Sequence, residues 1–259
     1  MKNQKTDNYI YGKNAVTEAL LKNPSRINKI LISKNVSTEA KVNEIIDLAK
    51  QHSVVFQIVP KERFSQYGNS PNQGVIAFVS PVSYTDLYEF LNTPKEGYSR
   101  VIILDGVEDP HNLGAIIRTA ACAGYDAVII PSRRNAQVNA TVEKTSAGAV
   151  NHIPIIQVNS LSNTIDKLKD NDYWIIAADA HGKDNYFDIN YTDMNFALIM
   201  GGEETGVSQN NMKKSDFVVK IPMLRNFNSL NVSNAACAII YESLRQDMCA
   251  SRKLFEKNS

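Results

Sequence analysis

The 259-residue chain has few of the residues that most often announce a chemistry: three cysteines, four histidines and one tryptophan. Cys122, Cys237 and Cys249 lie far apart and show no CxxC spacing. They read as thiols of a reducing cytoplasm, not as a disulfide framework or a metal site. His52, His111, His152 and His181 form no HExxH pair, so no metal is expected. No apolar run reaches the roughly 18 residues that span a bilayer. The start, Met1-Lys2-Asn3-Gln4-Lys5, has no signal-peptide core, so a cytoplasmic protein without a membrane partner is expected. A charge excess of either sign is also missing: 28 Lys and Arg stand against 27 Asp and Glu, a net +1. The division is uneven, with 13 basic and 9 acidic residues in 1–100 (+4) and 15 and 18 in 101–259 (−3). A modestly basic module that delivers a polyanion to a near-neutral one fits these numbers, as does chance scatter of surface charge.

Hydrophobic periodicity divides the chain. Residues 1–8 read as a polar, frayed end. Helix Gly12–Lys22, strand Asn28–Ile32, a helix capped by Ser37 or Thr38, strand Val54–Val59, a short helix from Pro60 to about Tyr67 and strand Val75–Val79 make a compact α/β unit over 1–80. Pro and Gly interrupt 81–99 around one short helix, Asp86–Leu91, and this stretch reads as a linker. Over 100–259 strands and helices alternate: strands Val101–Leu104, Ala127–Ile130, Ile153–Val158, Trp174–Ala178, Ala197–Met200 and Phe217–Ile221, with helices Leu113–Ala123, Asn139–Ala147, Leu161–Leu168 and one from Asn231 to Met248. That alternation predicts an α/β fold with a mostly parallel sheet covered on both faces. Ligands in such sheets bind beyond the carboxyl ends of the strands. Three polar post-strand loops are therefore the candidate site: Asp105–Asn112, Gly201–Gly206 and Pro222–Ser229.

The loop Gly201-Gly202-Glu203-Glu204-Thr205-Gly206 is neither GxGxxG nor a Walker loop, which ends in Gly-Lys-Ser/Thr. Its adjacent acids would repel a polyphosphate, so a cationic or neutral ligand fits better. A plain turn with solvated glutamates fits the same residues. The third loop crowds Arg225, Asn226, Asn228, Ser229, Asn231 and Ser233 into one turn. Ser229 and Asn231 are good helix caps, and a cap accounts for only one or two of the six.

Three segments together carry a family resemblance. Leu104-Asp-Gly-Val-Glu-Asp-Pro-His-Asn-Leu-Gly-Ala-Ile-Ile-Arg118, Leu198-Ile-Met-Gly-Gly-Glu-Glu-Thr-Gly206 and Ile221-Pro-Met-Leu-Arg-Asn-Phe-Asn-Ser-Leu-Asn-Val-Ser233 resemble, in order and spacing, the three motifs of the SpoU/TrmH ribose methyltransferases. Tyr9-Ile-Tyr-Gly-Lys-Asn-Ala-Val16 and Asn72-Gln-Gly-Val-Ile-Ala77 are similar to the RlmB branch, which methylates large-subunit ribosomal RNA. The likeness covers about residues 8–248. It implies a knotted SPOUT methyltransferase domain over 100–259, with a trefoil knot at the C-terminal end. It also implies a ribosomal-protein-like RNA-binding domain over 1–80, a homodimer, and S-adenosylmethionine as cofactor. By position, Gly201, Ile221 and Leu230 match the family's backbone contacts to the cofactor, and Met200, Gly202, Gly206, Pro222 and Ser229 complete the expected cofactor-binding set. Asn112, Arg118, Glu203, Ser229 and Asn231 match its catalytic polar residues. The chain departs from the pattern at Leu224-Arg225, where a small residue or Gly is usual, and at Asn234 and Cys237.

The implied reaction moves a methyl group to a ribose 2′-hydroxyl, most naturally of a guanosine in 23S ribosomal RNA. Transfer RNA or an antibiotic-target site in ribosomal RNA is the alternative substrate. A sulfonium methyl is already activated, so alignment and a base suffice and no metal is needed. The resemblance makes Arg118 the group that activates the hydroxyl, although a guanidinium that stays protonated would instead clamp a phosphate. Asn112 would orient Arg118 or the substrate. Glu203 would pair with an arginine or steady its loop. A non-catalytic RNA-binding protein of the same fold would be expected to lack Arg118 or Asn231, and both are present. A nucleotide-cofactor oxidoreductase would need a dinucleotide fingerprint after the first strand, and there is none.

Overall fold

The computed structural model describes residues 9–67, 73–225 and 229–257, in two compact units. One unit takes the chain up to Tyr84 together with Gln137–Thr141. The other takes Thr85–Ala136 and the chain from Val142 on.

The first unit is a four-stranded mixed sheet. Its elements in chain order are β1 (Tyr9–Tyr11), α1 (Lys13–Lys22), β2 (Ile27–Ser33), α2 (Ala40–Gln51), β3 (Phe56–Val59) and β4 (Val75–Val79). The strands lie in the order β1-β4-β2-β3, antiparallel except for the β2–β3 pair. Alternate residues of a strand point to opposite faces. Ile30, Ile32, Val75 and Ala77 therefore meet Val16 and Leu20 of α1 and Val42, Ile45 and Ala49 of α2. The opposite face gathers Leu31, Val59, Phe64 and Ile76 beneath an edge-to-face cluster of Tyr9, Tyr11, Tyr67 and Phe78. Two expectations need correcting. Glu39, and neither Ser37 nor Thr38, stands at the N-cap of α2, and it makes no side-chain cap bond. The segment from Pro60 is a run of 3-10 helix over Lys61–Tyr67.

A strap from later in the chain completes this unit. Buried Asn28 donates from Nδ2 to the Val138 carbonyl at 3.0 Å and accepts from the Tyr84 hydroxyl at 2.6 Å. The Val138 N–H donates back to the Tyr84 oxygen at 3.1 Å. Burial pushes the Tyr84 phenol pKa well above its ordinary value, because the charged form would have to be desolvated.

The second unit runs α3 (Leu87–Asn92), β5 (Arg100–Asp105), α4 (Pro110–Cys122), β6 (Ala127–Pro131), α5 (Ala140–Thr145), β7 (Ile155–Val158), α6 (Leu161–Lys169), β8 (Tyr173–Ala178), β9 (Asp184–Asn185), β10 (Asn195–Gly201), α7 (Gln209–Lys214), β11 (Phe217–Lys220) and α8 (Val232–Lys257), of which the start of α5 joins the strap. Seven strands form one sheet in the order β7-β6-β5-β10-β8-β11-β9, and every pair is parallel. The strands are apolar at nearly every position because both faces are covered. Val101, Ile103, Ile129, Ile175, Ala197 and Ile199 share a core with Leu161, Ile165 and Leu168 of α6. Each of these valine, leucine and isoleucine side chains contributes about 1.5–3 kcal/mol on burial. The residues of opposite parity, among them Ile102, Leu104, Val128, Ile176 and Leu198, are equally buried. The stretch expected as a linker belongs to this unit from Thr85 on, since Leu87 and Phe90 of α3 lie in its core and Asp86 caps α3.

Helix α4 begins three residues before the expected Leu113. Pro110 occupies its first turn and Asp109 caps it, accepting from the His111 N–H at 2.9 Å. Asn112 thereby sits in a buried helical turn and not in a loop.

Candidate active site at the carboxyl ends of the strands

Because the strands are all parallel, the segments after β5, β8, β10 and β11 emerge on one edge of the sheet. A cleft of about 1280 Å³ opens there. The segment after β10 folds back tightly. Gly206 donates to the Gly202 carbonyl at 2.9 Å, and Gly202 donates to the Asp105 carbonyl at the end of β5, also at 2.9 Å. The Asp105 carboxylate accepts from the Ser208 N–H and from Asn211 Nδ2, both at 2.9 Å, which ties the loop to the start of α7. The glycines are required by closeness. A Cβ on Gly201 would stand 2.1 Å from the carbonyl carbon of Gly206, and one on Gly202 would stand 2.1 Å from the Gly106 oxygen. Gly206 has φ +62°, a backbone state that side chains disfavour.

Met200, Gly201, Gly202, Gly206, Ile221, Pro222, Ser229 and Leu230, the residues expected to bind the cofactor, all line this cleft, and Glu203 does too. Three of the expected catalytic residues are joined in one chain of hydrogen bonds. Asn112 donates from Nδ2 to Glu203 Oε1, and Asn231 donates from Nδ2 to Asn112 Oδ1 at 3.0 Å. Asn231 Oδ1 in turn accepts from the Ser233 N–H at 3.0 Å and the Ser233 hydroxyl at 2.6 Å, so it also caps α8. Glu203 is thus engaged by an asparagine, and among the described residues no arginine is bonded to it.

Arg118 stands apart. It lies on the exposed side of α4, makes no hydrogen bond or ion pair among the described residues, and is not among those lining the cleft. Arg225 and Leu224 are exposed just beyond the cleft residue Met223, while Asn226 and Asn228 lie outside the described residues. The cleft also holds residues that the motifs do not include: Asp179, Ala180 and His181, in the segment after β8. Asp179 accepts from the His181 N–H at 2.8 Å. The post-strand rule, applied to β8 as it was to the other strands, would have found them.

The lining suits S-adenosylmethionine chemically. Val207, Ile221, Pro222 and Leu230 offer apolar walls to an adenine, and the close-packed backbone offers peptide groups. Asp179, Glu203 and Glu204 set negative charge near a cation. Among the described residues no group of three or more His, Cys, Asp or Glu is placed to hold a metal ion, and no helix is long and apolar enough to cross a membrane.

Comparison with known proteins agrees with this geometry. The sequence profile of the SpoU rRNA Methylase family matches residues 99–241, and that of the RNA 2′-O ribose methyltransferase substrate binding family matches residues 9–85. A Staphylococcus aureus (strain MSSA476) protein assigned to the TrmH family of tRNA/rRNA methyltransferases is 44% identical over 242 residues, covering 93% of this chain and 96% of its own. Among solved structures, the AdoMet-bound rRNA methyltransferase of Sinorhizobium meliloti superposes with a TM-score of 0.58 at 21% identity, covering 92% of this chain and 86% of its own. The A. aeolicus TrmH/SpoU tRNA modifying enzyme superposes with a TM-score of 0.55 at 28% identity, covering 63% and 81%.

Fold and cleft together define an α/β enzyme of the S-adenosylmethionine-dependent methyltransferase class. The chain belongs to the SpoU rRNA methylase family.

Proposed function

We propose that this enzyme methylates the 2′-hydroxyl of a ribose in RNA, with a guanosine of 23S ribosomal RNA as the target. The observation that carries the reading is the hydrogen-bonded set Glu203–Asn112–Asn231 beside a cleft suited to the cofactor. Gly201, Ile221 and Leu230, among others, would hold S-adenosylmethionine, which would supply an electrophilic methyl group. What remains for the protein is alignment and management of one proton. The three linked side chains are neutral or engaged, so they orient groups at fixed positions and at little ordering cost. Arg118 is free to reach the substrate, either to engage the 2′-hydroxyl directly or to clamp the adjacent phosphate. Ser229, at the cleft wall, supplies a further hydrogen-bonding group.

Ribosomal RNA is favoured over transfer RNA by chain coverage. The neighbour described as an rRNA methyltransferase aligns with 92% of this chain, and the one described as a tRNA modifying enzyme with 63%. Residues 1–80 are the RNA-binding domain in this reading, and 100–259 the methyltransferase domain. The resemblance further supports a cytoplasmic homodimer whose C-terminal segment is knotted. The test is transfer of labelled methyl from S-adenosylmethionine to unmodified 23S and transfer RNA transcripts, with the modified position mapped. Methyl on a base, or on transfer RNA alone, would overturn the assignment.

A further inference from the structure

The loop after β6 carries two adjacent exposed arginines, Arg133 and Arg134. Neither has a hydrogen-bond or ion-pair partner among the described residues. Other arginines of the chain are engaged: Arg100 with Asp247, Arg245 with Glu242, and Arg26 with the Ser80 carbonyl. The loop is nevertheless braced on both sides. Ser132 donates from its N–H to the Val158 carbonyl and from its hydroxyl to Asn159 Oδ1, each at 2.8 Å. On the other side Val107 N–H donates to Asn135 Oδ1, and Ala136 N–H to the Val107 carbonyl, again at 2.8 Å. Arg134 is held at φ +55°, a state that non-glycine residues avoid.

Val107 leads within five residues to Asn112, so the arginine loop is fastened to the segment that carries the candidate site. It also lies on the same edge of the sheet as the cleft, the edge where strands end. Two planar guanidinium forks kept free on a rigid loop are suited to phosphate oxygens, each able to bind in a bidentate way. Bracing removes much of the ordering cost of binding. We propose that Arg133 and Arg134 clamp the RNA backbone next to the nucleotide being methylated. This rests on the reading of the enzyme as an RNA methyltransferase.

The test uses the full chain and a fluorescein-labelled, mixed-sequence single-stranded RNA of about 20 nucleotides, with anisotropy followed over a salt series. In Arg133→Ala/Arg134→Ala the affinity should fall about tenfold at low salt. The log–log salt slope should become shallower by about 1.4, at roughly 0.7 for each phosphate no longer neutralised. Arg133→Lys/Arg134→Lys should restore the slope. Arg133→Glu alone should weaken binding further, giving an independent measure. Calorimetric affinity for S-adenosylmethionine should be unchanged in all three. Equal affinity and slope in wild type and alanine variant would overturn the clamp and leave the methyltransferase reading intact. Wild type that neither binds RNA nor methylates ribosomal RNA would overturn both. Weakening that appears equally with an acidic peptide as competitor, without a change in salt slope on RNA, would assign the loop to a protein partner instead.

Discussion

Asn231 donates from Nδ2 to Oδ1 of Asn112 at 3.0 Å, joining residues 119 positions apart. The bond fastens the first turn of α8 to the first turn of α4, and Asn112 passes the connection on to Glu203 after β10. Asn231 therefore has two duties, as a helix cap and as part of the linked set.

Substitution can separate those duties. Asn231→Ala should lose the cap and lower stability by about 1 kcal/mol. Asn231→Ser keeps a good capping oxygen but cannot reach Asn112. Thermal unfolding should show the serine variant near wild type, while its methyl-transfer rate stays as low as that of the alanine variant. Full activity in Asn231→Ser would show that the bond to Asn112 is only structural.

Gly202→Ala places a methyl where the Gly106 carbonyl oxygen lies 2.1 Å away, and backbone cannot step aside as a flexible side chain can. The loops after β5 and β10 should be forced apart, at a cost of about 1–3 kcal/mol. Calorimetry should find cofactor affinity reduced at least tenfold. Retained affinity would mean that the cofactor does not use the Gly201–Gly206 loop.

Arg118 is exposed and unpartnered among the described residues, so its removal should leave folding unchanged. Arg118→Ala should slow transfer by roughly two to four orders of magnitude if the side chain handles the hydroxyl proton or its alignment. Arg118→Lys retains charge and loses the fork. Rescue by lysine would assign phosphate neutralisation. Failure of rescue would assign geometry or proton handling, and near wild-type turnover in the alanine variant would remove Arg118 from the mechanism.

Alkaline pH tests the interior at the other end of the sheet. Burial pushes the Tyr125 and Tyr191 phenol pKa values well above the usual range, only partly offset at Tyr125 by its hydrogen bond to Ser243, 3.1 Å long. An unfolded tyrosine titrates near pH ~10, so above that pH unfolding releases protons and stability falls as pH rises. Each such group steepens the fall by about 1.4 kcal/mol per pH unit. Urea unfolding at successive pH values should show a shallower fall in Tyr125→Phe. Tyrosinate absorbance in the folded protein should show these phenols silent until unfolding.

Much of the architecture was legible because the parallel strands are apolar at almost every position and their ends are marked by Gly, Asp and Asn. The residues expected at the cofactor came from the family resemblance, by position in its motifs, and they line one cleft because the loops after parallel strands meet at one edge of the sheet. The start of α4 was missed because Pro110 and Asp109 read as turn formers, whereas a proline in the first turn lacks only an N–H that would be unpaired there anyway. The strap Gln137–Thr141 was illegible. Nothing local in those residues says that Val138 will accept from Asn28, 110 positions earlier. Asp179 and His181 were missed because the polar run 181–194 looked like an excursion, while the segment directly after β8 curls against β11 through bonds from the Asp179 and Lys183 N–H groups to the Val219 and Val218 carbonyls.

The position of β10 between β5 and β8 has a consequence for synthesis on the ribosome. The strand is made after both of its neighbours, and it pairs along its length with each. Until it emerges, β5 and β8 each present an unpaired backbone edge flanked by mostly apolar side chains, the kind of surface that recruits other chains. A nascent chain arrested before Asn195 would carry only the β7-β6-β5 half of the sheet, with β8 still lacking both β10 and β11, and no binding cleft. Protection of those edges therefore begins with β10, while the cleft waits for Ile221, Pro222, Ser229 and Leu230 beyond β11, and a chaperone that shields open strand edges should matter most for this enzyme until both strands have emerged.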